Sequence, residues 1–213
     1  YDAMIWQGRH HTLLAQPGMF DQCVAAYTFS KSFSMSGWRL GYGVSSAATV
    51  EILTTLANTS LSCVPPFTQY AGIAAMLGDG AVRDERMADF RRKVTLLVTA
   101  LNQLDDLSCM MPKGTFYVFP SVKVICNRYR ITSHGLALFL LEAADDDYGV
   151  ACLGGECFGE AGGGFLRLSC AEPDSRLQEA VAFIGDGVKR VTRIEKYLES
   201  HPEYRLSSPY AAD

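Results

Sequence analysis

The stretch TFSKSFSMSGWRLG, residues 28–41, carries two cations, Lys31 and Arg39, among hydroxyl and glycine residues. The segment before it, QCVAAYTFS (22–30), is nearly continuously apolar, a pattern typical of a strand that is covered on both faces. The segment after it, RLGYGVS (39–45), also has the composition of a strand. Because a parallel crossover needs about a dozen residues, strands joined by so short a connection would be antiparallel neighbours. The sequence therefore predicts that Lys31 and Arg39 lie at the same edge of a sheet, where their side chains converge.

Helical patterns follow this pair of strands. Two helices are predicted over 49–58 and 67–77, with the Pro65-Pro66 pair in the loop between them. A third helix begins near Asp84, where apolar residues recur every three or four positions. The apolar residues of this stripe are Met87, Phe90, Val94, Leu97, Leu101 and Leu104. Such a stripe predicts a helix that packs on a core and leads into a second domain.

The remaining sequence alternates short strands and helices. In chain order it predicts a strand over 115–119, a helix with Ser133 as its N-cap, strands near 149–152 and 165–170, and a helix over 173–198. The last residues are polar and are expected to be loose. This order of elements favours an α/β first part and an α+β second part.

The same patterns suggest where the domains begin and end. We expect residues 1–80 to belong to one domain, residues 81–198 to a second, smaller domain, and residues 199–213 to a tail. The expected fold class is α/β for the chain as a whole, with the α+β domain at its C-terminal end.

The composition of the 213 residues is that of a globular protein. The chain is 48% hydrophobic, with a net charge of −4 and no long basic run, so we expect neither a nucleic-acid nor a membrane partner. No apolar stretch approaches the roughly 20 residues that span a bilayer. The seven cysteines are odd in number and form no CxxC pair, which favours reduced thiols in a cytoplasmic protein and no metal site.

The chemistry of the opening stretch points to a phosphate-bearing aldehyde. Hydroxyl groups, turn N–H groups and the Arg39 guanidinium together suit a compact oxyanion such as a phosphate. A lysine beside such a site can attack a carbonyl and form a Schiff base, although a lysine in a Ser/Gly turn is also common on solvated surfaces. Pyridoxal phosphate carries both groups and is the cofactor that fits Lys31.

Residues 28–42, TFSKSFSMSGWRLGY, resemble the cofactor-lysine signature of the class I/II aminotransferases, which are fold type I enzymes dependent on pyridoxal phosphate. The GWRLGY form is most similar to the aspartate-aminotransferase-like subgroup. Thr28 departs from the signature, because the family usually has Ser or Gly there, but it keeps a hydroxyl. The resemblance extends to PKGTFYVF (112–119) and to GGECFGEAGGGFLRLSCA (154–171), in which Gly154 replaces the usual Pro.

The resemblance implies a role for each candidate residue of the first part. Lys31 forms the Schiff base with pyridoxal phosphate and moves the proton between the substrate Cα and the cofactor. Ser30, Arg39 and the hydroxyl of Thr28 hold the cofactor phosphate. Tyr1 matches the family tyrosine that hydrogen-bonds the cofactor 3′-oxygen. The implied fold is the C-terminal part of the large, cofactor-binding domain, followed by the α+β small domain.

Arg167 is the candidate for substrate binding. In FLRLSC, Leu166 and Leu168 lie on one face of a strand, and Arg167 lies on the other. An arginine there is often no more than surface, but a planar fork on a rigid strand also suits bidentate capture of a carboxylate. The resemblance implies that Arg167 binds the α-carboxylate of an amino acid or a 2-oxo acid, and that the enzyme is a homodimer.

The resemblance also implies that much of the enzyme lies upstream of this sequence. YDAMIWQG (1–8) matches the continuation after the motif whose Asp pairs with the pyridine nitrogen. We therefore expect a fragment that binds the cofactor weakly and turns over little or nothing alone. Two alternatives stay open: another pyridoxal-phosphate reaction on the same scaffold, such as β-elimination or decarboxylation, and a non-catalytic truncated or dimerisation module.

Overall fold

The protein is described by a computed structural model that covers residues 1–78 and 80–211. The chain divides into two compact units, Tyr1–Ala88 and Asp89–Asp213. The division falls inside a helix, whereas the sequence pattern suggests a boundary after residue 80. Within the described ranges, no helix is both long enough and apolar enough to cross a membrane.

The first unit is built on a two-stranded hairpin. Strands β1 (Ala25–Thr28) and β2 (Gly41–Val44) pair antiparallel, which confirms the arrangement predicted from the short connection. Helices α1 (Ala47–Leu61) and α2 (Pro66–Leu77) follow, and α3 (Ala81–Leu101) begins in this unit and ends in the second. Each lies close to a predicted helix.

Burial in the first unit is low. The prediction that the first strand is covered on both faces is wrong, because Ala26 and Thr28 are exposed and neighbouring Val24 is 57% exposed. A small apolar cluster of Phe29, Met35 and Leu40 lies at the end of the hairpin. Helix α1 has no buried residue, although it is apolar on average. The described residues of this unit therefore leave much apolar surface in water.

The second unit contains a three-stranded antiparallel sheet. Its strands are β3 (Tyr117–Val118), β4 (Leu153–Gly154) and β5 (Leu166–Ser169), with β5 in the centre. The strand predicted near 149–152 is wrong in position. The amide of Val150 donates to the carbonyl of Leu140 at 2.9 Å, so this segment is bonded to a helix and joins the sheet only at Leu153.

Four helices besides α3 complete the second unit: α4 (Lys123–Tyr129), α5 (Ser133–Glu142), α6 (Asp174–Gly187) and α7 (Val191–Ser200). The single helix predicted over 173–198 is therefore two helices. Gly185 and Gly187 lower the helix propensity just before the break. The N-cap of α5 is Thr132, not Ser133, because the Thr132 hydroxyl accepts the amide of Gly135 at 3.0 Å.

One continuous apolar core holds the second unit together. The predicted stripe of α3 contributes Val94, Leu97 and Leu101, all essentially inaccessible to water, which confirms the helical periodicity. Phe139 of α5 and Leu166 of β5 are also fully buried in this cluster. Burial of such side chains is the main favourable term in folding, so we attribute the stability of this unit to the packing of α3 and α5 on the sheet.

The last residues are part of this unit, so the prediction of a loose tail is wrong for the described residues up to 211. Leu206 is buried, and its amide donates to the carbonyl of Arg130 at 2.8 Å. The amide of Thr132 donates to the carbonyl of Tyr204 at 2.9 Å. The prediction relied on the polar composition of the segment. The segment has few apolar and aromatic residues, but Leu206 is one of them and is buried.

Acid should weaken an ion pair in this unit between Asp145 and Arg190, whose atoms lie 2.6 Å apart. The hydrogen bond from Arg190, with one from the amide of Asp147, lowers the pKa of Asp145 to about 2. Because the folded pKa is depressed, the pair stabilises the fold above the ordinary aspartate pKa, and this contribution disappears as pH falls towards 2. We expect Asp145→Asn to lower the melting temperature at pH 6 but not at pH 2, with Asp147→Asn as control. A melting difference that persists unchanged at pH 2 would contradict this.

Candidate active site

The predicted phosphate-binding residues lie at the end of the hairpin in the first unit. Thr28 faces Gly41 in the strand register, and the amide of Phe29 donates to the carbonyl of Leu40 at 3.1 Å. Ser30 and Arg39 therefore occupy adjoining positions at the end of the two strands. Glycine is required at 41, because an added Cβ would lie 2.5 Å from the carbonyl oxygen of Tyr27.

Lys31 begins a tight turn directly after β1. Its carbonyl accepts the amide of Ser34 at 3.0 Å, and Ser34 has a positive φ of 54°. The amide of Met35 then returns to the carbonyl of Phe29 at 3.2 Å. Lys31 itself is half-buried. The turn thus fixes the backbone of Lys31 at the end of the strand, as the sequence predicts.

Hydroxyl groups and a guanidinium surround this turn. The Thr28 hydroxyl donates to Ser30 Oγ at 2.8 Å and accepts the amide of Ser30 at 3.1 Å. Arg39 has a left-handed backbone, with φ of 51°, and its guanidinium donates to the carbonyl of Ser36 at 2.8 Å. The exposed guanidinium and two hydroxyls are chemically suited to a phosphate.

The start of the chain lies beside the same turn. The hydroxyl of Ser32, which is buried, donates to a carboxylate oxygen of Asp2 at 2.6 Å. Tyr1 is 48% exposed, and its carbonyl accepts the amide of Met4 at 2.9 Å. Since Tyr1 neighbours Asp2 and Lys31 neighbours Ser32, the two predicted residues belong to one region of the first unit. A contact of Tyr1 with the cofactor stays a prediction.

Arg167 lies in the second unit, on the central strand β5. It faces Leu153 of β4 in the register, while Leu166 and Leu168 point into the core. This alternation is the one that the sequence predicts. The side chain is only partly exposed, so the guanidinium is held at the surface of the sheet.

Two aromatic rings lie against the Arg167 guanidinium. Sequence analysis did not predict these contacts. The guanidinium carbon lies 4.4 Å from the ring centroid of Tyr117 and 4.7 Å from that of Phe158. At these distances both rings stabilise the cation through cation–π interactions and restrict the motion of the side chain. The sequence held a partial signal, because Tyr117 belongs to a predicted strand, but the pairing of that strand with β5 was not predicted.

The hairpin donors fit pyridoxal phosphate. The cofactor needs an amine for its aldehyde and several donors for its phosphate dianion. Lys31 provides the amine, and Thr28, Ser30 and Arg39 provide donors at the end of the hairpin. Arg167, on the other unit, is a donor of the kind that binds carboxylates in bidentate fashion. The hairpin residues therefore have the chemistry expected of a cofactor site, and Arg167 has the chemistry expected of a carboxylate ligand.

Comparisons with known proteins agree with this chemistry. The profile of the family "Aminotransferase class I and II" matches residues 1–184. An aspartate aminotransferase from Pyrococcus abyssi is 31% identical over 191 residues, which are 88% of this chain and 46% of that protein. The chain thus spans about half the length of the curated relatives it matches.

Solved structures give the same result. The aspartate aminotransferase of Rhizobium meliloti has a TM-score of 0.79 and 28% identity, over 89% of this chain and 48% of that one. An aromatic aminotransferase from Pyrococcus horikoshii has a TM-score of 0.76 and 28% identity, over 95% and 50%. The predicted fold class is confirmed, and dependence on pyridoxal phosphate is a property of this family. This chain belongs to the class I and II aminotransferase family.

Proposed function

We propose that this chain is part of a pyridoxal-phosphate-dependent aminotransferase that moves an amino group from an amino acid to a 2-oxo acid. The observation that carries the proposal is the connection between β1 and β2, which holds Ser30, Lys31 and Arg39 at the end of the hairpin, in a chain that matches the family over residues 1–184. We assign residues 1–80 to the cofactor-binding domain and residues 81–198 to the small domain, on which the segment that contains Tyr204 and Leu206 packs.

Each proposed role follows from the chemistry of the side chain. When bound, pyridoxal phosphate supplies the aldehyde and the electron-withdrawing ring that the reaction requires. The Lys31 amine would be the group that holds the cofactor through its aldehyde, and the same amine would move the proton at the substrate Cα. Arg39, with the hydroxyls of Ser30 and Thr28, binds the phosphate, while the Tyr1 hydroxyl orients the 3′-oxygen.

Arg167 binds the α-carboxylate of the amino acid and, in the reverse half, that of the 2-oxo acid. Its guanidinium lies within 4.4 Å of the Tyr117 ring centroid and 4.7 Å of that of Phe158, which supports the proposal because a constrained guanidinium loses less entropy when it binds. Side-chain specificity does not follow from this contact, since every amino acid substrate carries the same α-carboxylate.

The setting of the enzyme is also a proposal. All seven cysteines are unpaired, which supports a cytoplasmic location. Apolar residues of the first unit are widely exposed, and this supports assembly as a homodimer. The residues exposed on α1 and α2 include Ile52, Leu56, Leu61, Phe67, Ile73 and Met76.

A stoichiometric assay tests the proposed reaction. The purified 213-residue chain, at high concentration with pyridoxal phosphate, is incubated separately with aspartate, cysteine and an aromatic amino acid. Thr28 and Arg39 are exposed, so solvent competes for the phosphate, and we expect slow formation of oxo acid. The rate should lie about a hundredfold or more below that of the Pyrococcus abyssi relative, because preorganised electrostatics are incomplete.

The products separate the alternatives. Oxo acid with an aminated cofactor supports aminotransfer, whereas sulfide from cysteine or carbon dioxide from any substrate indicates β-elimination or decarboxylation. A chain that yields no product and no reducible cofactor adduct is a non-catalytic module. Turnover as rapid as that of the relative contradicts our expectation that the chain alone is a weak catalyst.

A further inference from the structure

A carboxylate outside the proposed site, that of Glu156, accepts three hydrogen bonds. The amide of Ser133 donates to Oε1 at 3.0 Å, the Ser133 hydroxyl donates to Oε2 at 2.5 Å, and the Tyr210 hydroxyl donates to Oε1 at 2.5 Å. Burial raises the pKa of Glu156, but the bonds from Ser133 and Tyr210 outweigh it, and the pKa falls below its usual value. Glu156 is therefore ionised, and it acts as an anchor for the segments of Ser133 and Tyr210, which are far apart in the sequence.

Tyr210 is held by contacts at its backbone, its ring and its hydroxyl. Its amide donates to Asn127 Oδ1 at 2.8 Å, and Asn127 Nδ2 donates to its carbonyl at 3.0 Å. Its ring lies against Gly164, where an added Cβ would approach the ring to 3.1 Å. Burial, followed by the bond to Glu156, raises the pKa of Tyr210 to about 12, so the hydroxyl stays a donor at neutral pH.

The anchor is joined to the Arg167 site through a single turn. Glu156 and Phe158 belong to the same 3₁₀ turn, Gly155–Phe158, and the Phe158 ring covers one face of the Arg167 guanidinium at 4.7 Å. The first residue of the turn is bonded to the segment that leads into β5, because the Gly155 amide donates to the carbonyl of Phe165 at 2.7 Å. A shift of Glu156 would therefore move the ring that confines Arg167.

We propose that Glu156 and Tyr210 are positioning residues for Arg167, which hold the Phe158 ring in place so that the guanidinium edge stays available to a carboxylate. Neither residue touches the guanidinium. The inference rests on the proposed role of Arg167, and it assigns the C-terminal segment around Tyr210 a part in substrate affinity. Such positioning acts by limiting the motion of a binding group before the ligand arrives.

The Arg167 Nε–H resonance tests this proposal in the 213-residue chain without any cofactor. The nearby rings of Tyr117 and Phe158 shift the resonance, and Arg167→Lys identifies it. We expect Tyr210→Phe and Glu156→Gln to move the signal towards that of a solvated arginine. With 2-oxoglutarate as the probe, half-saturation should require about fivefold more ligand in Tyr210→Phe, because part of a hydrogen bond to a charged group is lost. Tyr148→Phe, at an exposed position, is the matched control.

The outcomes separate the two proposals. An unchanged resonance and unchanged affinity in Tyr210→Phe and Glu156→Gln, even with a lower melting temperature, overturn the positioning role and leave Arg167 as the carboxylate ligand. If the resonance moves in these variants but 2-oxoglutarate never perturbs Arg167 in the parent chain, the positioning holds and the proposed ligand role fails. If both the resonance and the 2-oxoglutarate affinity change in these variants, while Tyr148→Phe changes neither, the positioning role and the ligand role are both supported.

Discussion

Replacing Lys31 by alanine is expected to remove most of the pyridoxyl label that borohydride reduction leaves on the chain in the presence of pyridoxal phosphate. The chain has six lysines, and any exposed amine reacts with the aldehyde to some extent. Lys31 alone follows β1 at the turn that also holds Ser30 and Arg39. Anchoring the phosphate there raises the effective concentration of the aldehyde, so we expect about tenfold more label at Lys31 than at an exposed lysine.

Two further variants test whether the turn is the cause of selective labelling at Lys31. Lys113 is exposed and lies outside the hairpin, so Lys113→Ala should leave the label at position 31 unchanged. Arg39→Ala keeps the amine but removes the guanidinium, and it should reduce the label at Lys31 to the level of the other lysines. Peptide mapping after reduction gives these ratios. Equal labelling of all six lysines in the parent chain would show that the turn does not select the cofactor.

The hairpin could be predicted from sequence because its determinants are local. The connection between the strands is too short for a crossover, and that fact alone predicts an antiparallel pair with Lys31 and Arg39 at the same edge of the sheet. The stripe of α3 and the outward position of Arg167 also follow from local periodicity. Both patterns repeat within a single element, so they do not depend on the rest of the fold.

Features that depend on distant partners were missed. The ring of Phe158 reaches Arg167 only because β4 and β5 pair in one register, and nothing in either segment fixes that register. Tyr210 is ordered by Asn127, which lies far away in the sequence. The N-cap of α5 was misplaced by one residue, because the hydroxyl of Ser133 is used by Glu156 instead. In each case a long-range contact overrides the local preference.

The largest difference in local stability should separate the two units. Helix α1 has no buried residue, and an isolated helix of that length is marginal in water. Helix α5 buries Leu136, Phe139 and Leu140 completely in the core of the second unit. Amide exchange reports such local opening, and we expect the amides of α5 to exchange about a thousandfold more slowly than those of α1.

Two substitutions test whether core burial is the cause. Phe139→Ala removes a fully buried ring and should lower the free energy of unfolding of the second unit by about 3–5 kcal/mol, which accelerates exchange throughout α5. Leu56→Ala, at a position 59% exposed on α1, should change stability by less than about 0.5 kcal/mol. Exchange is measured at several protein concentrations, because self-association would cover the apolar side chains of α1 and slow its amides as concentration rises. Protection of α1 equal to that of α5 at the lowest concentration would mean that exposure of its side chains does not determine its stability.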